Sequence, residues 1–185
     1  DLSAVTTFNL DEYYPIAKEN DQSYDYFMHK NLFDSVNIAP ERINIPDGSA
    51  SDPNAECERY EKKLEKHGAV DLQVLGIGQN GHIAFNEPGT PFDSVTHIVD
   101  LAESTIKDNS RLFNSIDEVP RQAFTMGLSN IMNAKKILIL ANGAGKAYAI
   151  GELVNGEIRE DVPATILRNH PDCILICDEA AGQNI

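Results

Sequence analysis

Leu72-Gln73-Val74-Leu75-Gly76-Ile77-Gly78-Gln79-Asn80-Gly81-His82 decides the reading of this chain. An apolar run breaks into three glycines at Gly-x-Gly-x-x-Gly spacing, and a histidine follows at once. Leu72 to Ile77 has the length and composition of a buried strand. A strand that ends in such a turn presents its loop at the carboxyl edge of a parallel α/β sheet, where ligands bind. The literal match invites a dinucleotide reading. That reading needs a helix to start at the third glycine, so that its N-terminus meets the pyrophosphate. Asn86, Glu87, Pro88 and Gly89 follow instead, and the Pro-Gly break leaves room for roughly two turns at most. A catalytic loop is the sharper alternative. Glu87 lies five residues after His82, close enough to share a hydrogen bond that fixes the imidazole tautomer for acid/base work. The plain alternative is a solvated turn with a packing histidine.

Outward from this loop, strand-like runs alternate with helical ones. Val5 to Leu10 reads as a strand leading into Asp11, Glu12 and Tyr13. Tyr24 to Phe33 has helical spacing, and Ile43 to Ile45 suits a short strand. Ser51 to His67 reads as a helix, with Pro53 in its first turn, Glu58 and Lys62 paired at i,i+4, and Gly68 as its stop. Thr96 to Leu101 reads as a strand, and Ala102 to Phe113 and Leu128 to Met132 as helices. Lys136 to Leu140 is a strand, Ala147 to Val154 a helix, and Cys173 to Cys177 a last strand. The pattern predicts an α/β fold, a mainly parallel sheet flanked by helices in a Rossmann-like three-layer arrangement. Its strand ends would carry Asn9-Asp11-Glu12, Gly78 to His82, Asn142 to Lys146 and Asp178-Glu179. No repeat, low-complexity tract or linker is visible, so residues 1–185 are expected to form one domain.

Composition narrows the function. The chain has 185 residues, with 15 Lys plus Arg against 29 Asp plus Glu and a net charge of −14. That balance argues against nucleic acid and against anionic membrane surfaces, both of which attract basic faces. No run approaches the roughly 20 apolar residues of a membrane span. A small anionic substrate is compatible, because a few local cations outweigh a diffuse field beyond a Debye length of about 8 Å. Cys57, Cys173 and Cys177 form neither a disulfide framework nor a zinc motif, and read as reduced thiols in the core of a cytoplasmic protein. His29, His67, His97 and His170 lack metal-ligand spacing and read as structural or solvated.

Three further segments are candidates. Asp11 and Glu12 read either as a helix cap or solvated loop, or as a carboxylate base facing the cleft of His82. Gly143-Ala144-Gly145-Lys146 is not a P-loop, since Ala147 stands where Ser or Thr is required. It still offers backbone N–H groups and one lysine to a phosphate. Arg111 is a second cation, or one partner of a surface salt bridge.

Phe8-Asn9-Leu10-Asp11-Glu12-Tyr13 and the stretch Gly76 to Pro88 resemble the glucosamine-6-phosphate deaminase (isomerase) family. The similarity extends to Ser23-Tyr24 through Phe33, Asn109-Ser110-Arg111 and Cys177-Asp178-Glu179. The resemblance implies a metal-free and cofactor-free isomerisation with loss of ammonia, from glucosamine 6-phosphate to fructose 6-phosphate. By that analogy His82, assisted by Glu87 and oriented by Asn80, opens the pyranose ring, and Asp11 moves the proton from C2 to C1. Arg111 and Lys146 are the phosphate contacts, and Gly78 and Gly81 belong to the substrate-binding set. These groups are expected to come from different strand ends of one sheet.

Three departures from the family stand out. Asn80 occupies a position where many members carry Asp, which changes the charge beside His82. Thr90-Pro91 and His97-Ile98-Val99-Asp100 replace the basic residues that bind N-acetylglucosamine 6-phosphate in activated members. No such activation is expected, and the oligomeric state is left open. The family's N-terminal phosphate loop and some C-terminal residues are missing, so this chain is expected to hold an incomplete site and to expose sheet edge or core. The runner-up function is a hydrolase resembling 6-phosphogluconolactonase, which would need neither Asp11 nor Asn86-Glu87-Pro88. A sugar-phosphate sensor without turnover is the non-enzymatic alternative, and Asn80 alone favours it.

Overall fold

The computed structural model describes residues 1–185, apart from the side chain of Asp108. The chain divides into two compact units, Asp1–Lys62 with His97–Thr125, and Lys63–Thr96 with Met126–Ile185.

In the first unit, β1 (Thr7–Phe8) runs parallel to β3 (Ile43–Asn44). A three-stranded antiparallel sheet holds β2 (Asp11–Tyr14) and β5 (His97–Asp100) on either side of β6 (Gln122–Thr125). The unit also carries α1 (Tyr24–Asn31), most of α2 (Pro53–His67), and α3 (Glu103–Asn109), which tightens into a 3-10 turn at Ser110–Leu112. Helix α2 matches its sequence signals. Asp52 accepts from the N–H groups of Asn54 and Ala55, Lys62 pairs with Glu58 at 3.4 Å, and Gly68 closes the helix with a positive φ.

Two expectations are corrected here. The strand read as Val5 to Leu10 is only two residues long, and Asp11 and Glu12 are not in the loop beyond it. They follow β1 closely but begin β2, so Asp11 is held in the antiparallel sheet and not in a loop. Two adjacent acids look like loop chemistry in sequence. Strand alternation turns them to opposite faces, and each finds its own surroundings. Strand β6 leaves little signal in the sequence, because Gln-Ala-Phe-Thr is short and only weakly patterned. It is nonetheless central, and Ala123 and Phe124 are fully buried.

Glu12 shows how the unit is tied together. Its side chain is 1% exposed, and its carboxylate accepts from the backbone N–H groups of Tyr13, Tyr24 and Asp25 at 2.8–2.9 Å. Ser23 Oγ accepts from Tyr26, and Ser23 O from Phe27. With the Ser23 N–H donating to Asn20 O, all four orphan donors at the start of α1 (those of Ser23, Tyr24, Asp25 and Tyr26) are satisfied, two of them by a strand remote in sequence.

The second unit is built on a parallel sheet in the order β4 (Gln73–Leu75), β7 (Ile137–Ala141), β8 (Cys173–Cys177). Leu75, Ile137 and Ile139 are buried on one face, and helices α4 (Leu128–Met132) and α5 (Ala147–Asn155) bury Leu128, Ile131, Ala147, Ile150 and Leu153. The opposite face is apolar and open. Val74, Leu140, Ile174 and Ile176 are 44–56% exposed, whereas parallel sheets are ordinarily covered on both sides. Cys173 and Cys177 share one face as expected. They are half-buried rather than in the core, while Cys57 is buried in α2.

All three strands run the same way. The segments after them therefore leave the sheet at one edge: Gly76 to His82, Asn142 to Lys146, and Asp178-Glu179.

Replacing Glu12 by alanine leaves three backbone donors without their acceptor, at a cost of about 3 kcal/mol. Urea unfolding of Glu12→Ala should show this loss, and Glu12→Gln a smaller one. An unchanged midpoint would remove Glu12 as the tie.

Candidate active site

His82 is placed by the glycines before it. A Cβ on Gly78 would fall within the His82 imidazole, so only glycine leaves room for the ring. Gly81 has φ +86°, and a Cβ there would also strike Val162. Both N–H groups are spent inside the loop, Gly78 to His82 O at 2.8 Å and Gly81 to Gly78 O at 3.1 Å. The two glycines thus shape the turn and keep no backbone donor for a ligand. No helix begins between Gly76 and Thr96 among the described residues, which leaves the dinucleotide reading without the helix N-terminus it needs.

Asn80, His82 and Glu87 come together as the spacing suggested. Asn80 Nδ2 donates to Glu87 Oε2 at 2.9 Å, and the His82 backbone N–H donates to Asn80 Oδ1 at 3.1 Å. The same Glu87 oxygen lies 3.4 Å from His82 Nδ1. That approach is too poorly aligned to count as a hydrogen bond, and Nδ1 is otherwise unpaired. Catalytic hydrogen bonds are often long without substrate and tighten when it binds. Asn80 therefore does what an uncharged residue can do here: it orients Glu87 with its amide and the loop with its carbonyl.

Asn86 was quoted in the sequence motif without a role. It is fully buried, and its amide donates to Ile83 O at 3.0 Å and Met126 O at 2.8 Å, bracing the turn that carries Glu87. Glu160 braces the following segment through Gly89 and Phe92. Its signal was invisible in sequence, because it lies some seventy residues away.

Lys146 ends the 3-10 turn Ala144–Lys146 and stands at the N-cap of α5. Gly145 of that turn abuts the Gln79 side chain, so the turn rests on the His82 loop. Gly78, Asn80, Gly81, His82, Glu87 and Lys146 all lie in the second unit, and Asp11 and Arg111 in the first. The expectation of one sheet supplying every group is corrected: β2 is antiparallel, and Arg111 sits in a 3-10 turn after α3.

Asp11 is an electrostatically perturbed carboxyl. Burial, and next the neighbouring Glu12, push its carboxyl up from 3.8 to about 7. Its charge is felt by Tyr13, Tyr24 and Tyr60, all held above the usual phenol range chiefly by burial. Tyr13 stacks on Tyr24 with ring centroids 5.3 Å apart and accepts from Asn109 Nδ2 at 2.8 Å. That bond ties the residue two places before Arg111 to the strand of Asp11. Arg111 itself is exposed and pairs with no group among the described residues, which leaves its guanidinium open to an anion.

The remaining histidines follow the structural reading where a bond is seen. His29 meets Asp34, His67 bonds Lys63 O, and buried His170 bonds Ala134 O and accepts from the Asp172 N–H.

Residues 1–175 match the family model for glucosamine-6-phosphate isomerases/6-phosphogluconolactonase. The chain belongs to this family. A glucosamine-6-phosphate deaminase of Lactobacillus delbrueckii subsp. bulgaricus is 57% identical over 182 residues, 98% of this chain and 76% of that protein. The solved structure of a monomeric glucosamine-6-phosphate deaminase superposes with a TM-score of 0.98 at 44% identity, covering 100% of this chain and 77% of the other. The 6-phosphogluconolactonase of Leishmania guyanensis shares the fold, with a TM-score of 0.76 at 19% identity over 99% of this chain and 75% of its own. Within the family, this chain is far more similar to the deaminases than to that lactonase.

Asp11 also predicts a pH-dependent stability. Its carboxyl ionises near 3.8 when unfolded and near 7 in the fold, so the folded state holds the extra proton between those values. The stability this gives is complete at low pH and is lost as pH rises through about 7. Asp11→Asn stays neutral throughout. Its melting temperature should therefore exceed that of the parent by more at pH 8 than at pH 5. A gap that does not widen would mean that Asp11 is not a desolvated acid.

Proposed function

We propose that this protein converts glucosamine 6-phosphate and water to fructose 6-phosphate and ammonia. The observation that carries the reading is Asp11, a carboxyl whose burial brings its ionisation to about neutrality. A base of that strength takes a proton from carbon and returns it without a large energetic mismatch at either step. The family membership and the deaminase relatives support the same substrate.

His82 moves the proton between the ring oxygen and the C1 hydroxyl, which opens the pyranose to the aldehyde. Glu87, 3.4 Å from the imidazole, orients the ring as the contact tightens on the substrate, and Asn80 keeps Glu87 in place. Asp11 then removes the C2 proton. The electron pair forms a C1–C2 double bond and the carbonyl electrons move to O1, which takes a proton from the ammonium on C2, leaving a neutral enolamine with the amine on C2 and a hydroxyl on C1. Protonation at C1 by the same carboxyl gives an iminium at C2 and restores the carboxylate. Water adds to that carbon, and ammonia departs as the ketone forms. Arg111 and Lys146 hold the phosphate, and Gly78 and Gly81 serve substrate binding by shaping the loop beneath it. A lactonase would hydrolyse an ester and has no use for a carbon base. Three free thiols fit a reducing, cytoplasmic setting.

Ammonia release from glucosamine 6-phosphate tests the reading directly. The parent should release ammonia, with kcat/KM rising as pH passes through about 7 and Asp11 ionises. Asp11→Asn should lower kcat by about 10²–10⁴-fold, the usual worth of a positioned base, with substrate binding largely kept. Equal turnover by both proteins would remove Asp11 as the base. A folded parent that binds the sugar phosphate without turnover would favour the sensor.

A further inference from the structure

Asp178 stands just beyond β8 and has no part in the chemistry above. Its side chain is exposed, yet both carboxylate oxygens are engaged. The Gly143 N–H donates between them at 3.0 Å to each, and the Ala181 N–H donates to Oδ1 at 2.8 Å. These backbone donors, Ala181 before Gly143, hold the carboxyl below its ordinary value. Gly143 is the residue from which the Ala144–Lys146 turn departs, and its carbonyl accepts the Lys146 N–H at 3.0 Å. The turn is therefore held at two points. Gly143 is fixed to the end of β8, and Gly145 lies against Gln79 of the His82 loop. Lys146 is a flexible cation on a four-carbon stem, so the position of its backbone decides where its charge can reach.

We propose that Asp178 is a positioning residue: its carboxylate fixes the Gly143 N–H and thereby sets the turn from which Lys146 meets the substrate phosphate. The proposal rests on the reading of Lys146 as a phosphate contact. It gives Asp178 a task opposite to what its charge alone suggests. A carboxylate near a phosphate site repels the ligand, whereas one committed to two backbone donors acts through the loop it holds.

The test is a double-mutant cycle on KM and kcat for glucosamine 6-phosphate, using Asp178→Ala, Asp178→Asn, Lys146→Ala and the pair Asp178→Ala with Lys146→Ala. Asp178→Ala should raise KM by about tenfold, the range of one charge-assisted contact, and change kcat much less. Asp178→Asn keeps an acceptor oxygen and should fall between the parent and the alanine variant. In the Lys146→Ala background, Asp178→Ala should have no further effect on KM. Three results would overturn the proposal. If Lys146→Ala leaves KM unchanged, the phosphate reading of Lys146 fails and takes the proposal with it. If Lys146→Ala raises KM and neither Asp178 variant does, Lys146 stands and Asp178 falls. If KM drops in Asp178→Asn, the carboxylate acts by repulsion and not through the turn. Should Asp178→Ala fail to fold, Asp178→Asn alone and in the Lys146→Ala background carries the same cycle.

Discussion

Parallel pairing of β4, β7 and β8 is the constraint on which the loop chemistry depends. Once Leu75 lies beside Ile139 and Ile139 beside Leu175, the three strands end at one edge. Three stretches far apart in sequence then become neighbours without further instruction. What each stretch needs locally is small: a glycine that makes room for an imidazole and another that turns the chain, an asparagine that orients a carboxylate, and an aspartate that holds a turn. The long-range part of the arrangement is supplied by the sheet, and the ångström-scale part by these short contacts. Loops carried on a rigid scaffold in this way combine variation with accuracy.

The antiparallel sheet of the other unit makes a different use of regularity. Period-two alternation sends Asp11 and Glu12, adjacent in the chain, to opposite faces. Glu12 meets the first N–H groups of α1, and three donors offset part of its charge, although burial still holds its carboxyl above the usual value. No comparable set of backbone donors offsets the burial of Asp11. One carboxylate is spent on holding the fold and the other is left with a raised pKa, although they differ by a single residue in position. Their order within the strand is thus a functional constraint, since a one-residue slip in register would exchange the two environments.

Much of this was legible beforehand because the signals were local. The helix from Pro53 to His67 announces itself through a proline, an i,i+4 pair and a terminal glycine. The His82 loop announces itself through glycine spacing, and its grouping with Asn80 and Glu87 follows from short separation. The antiparallel sheet was not legible, for a physical reason. Gln122 to Thr125 is four residues long and gains its place from two neighbours that lie about 25 and 110 residues away, so no window of sequence contains the evidence. Asp11 reads as a loop residue in sequence and begins a strand in the fold, because a pair of acids resembles a loop until the partner of each is known. Glu160 and Asp178 belong to the same class: a side chain that braces a loop from a distance leaves no pattern around itself.

The open face of the parallel sheet has a consequence for how this chain behaves as a colloid. Val74, Leu140, Ile174 and Ile176 present an apolar surface to water, and two such surfaces gain by meeting. At low ionic strength the charge of −14 on each chain keeps them apart. Added salt shortens the reach of that repulsion to a few ångströms while leaving the apolar attraction intact, and sulfate or phosphate strengthens it. Any meeting of two copies through this face is therefore expected to strengthen with the salt of the buffer, and most with sulfate or phosphate.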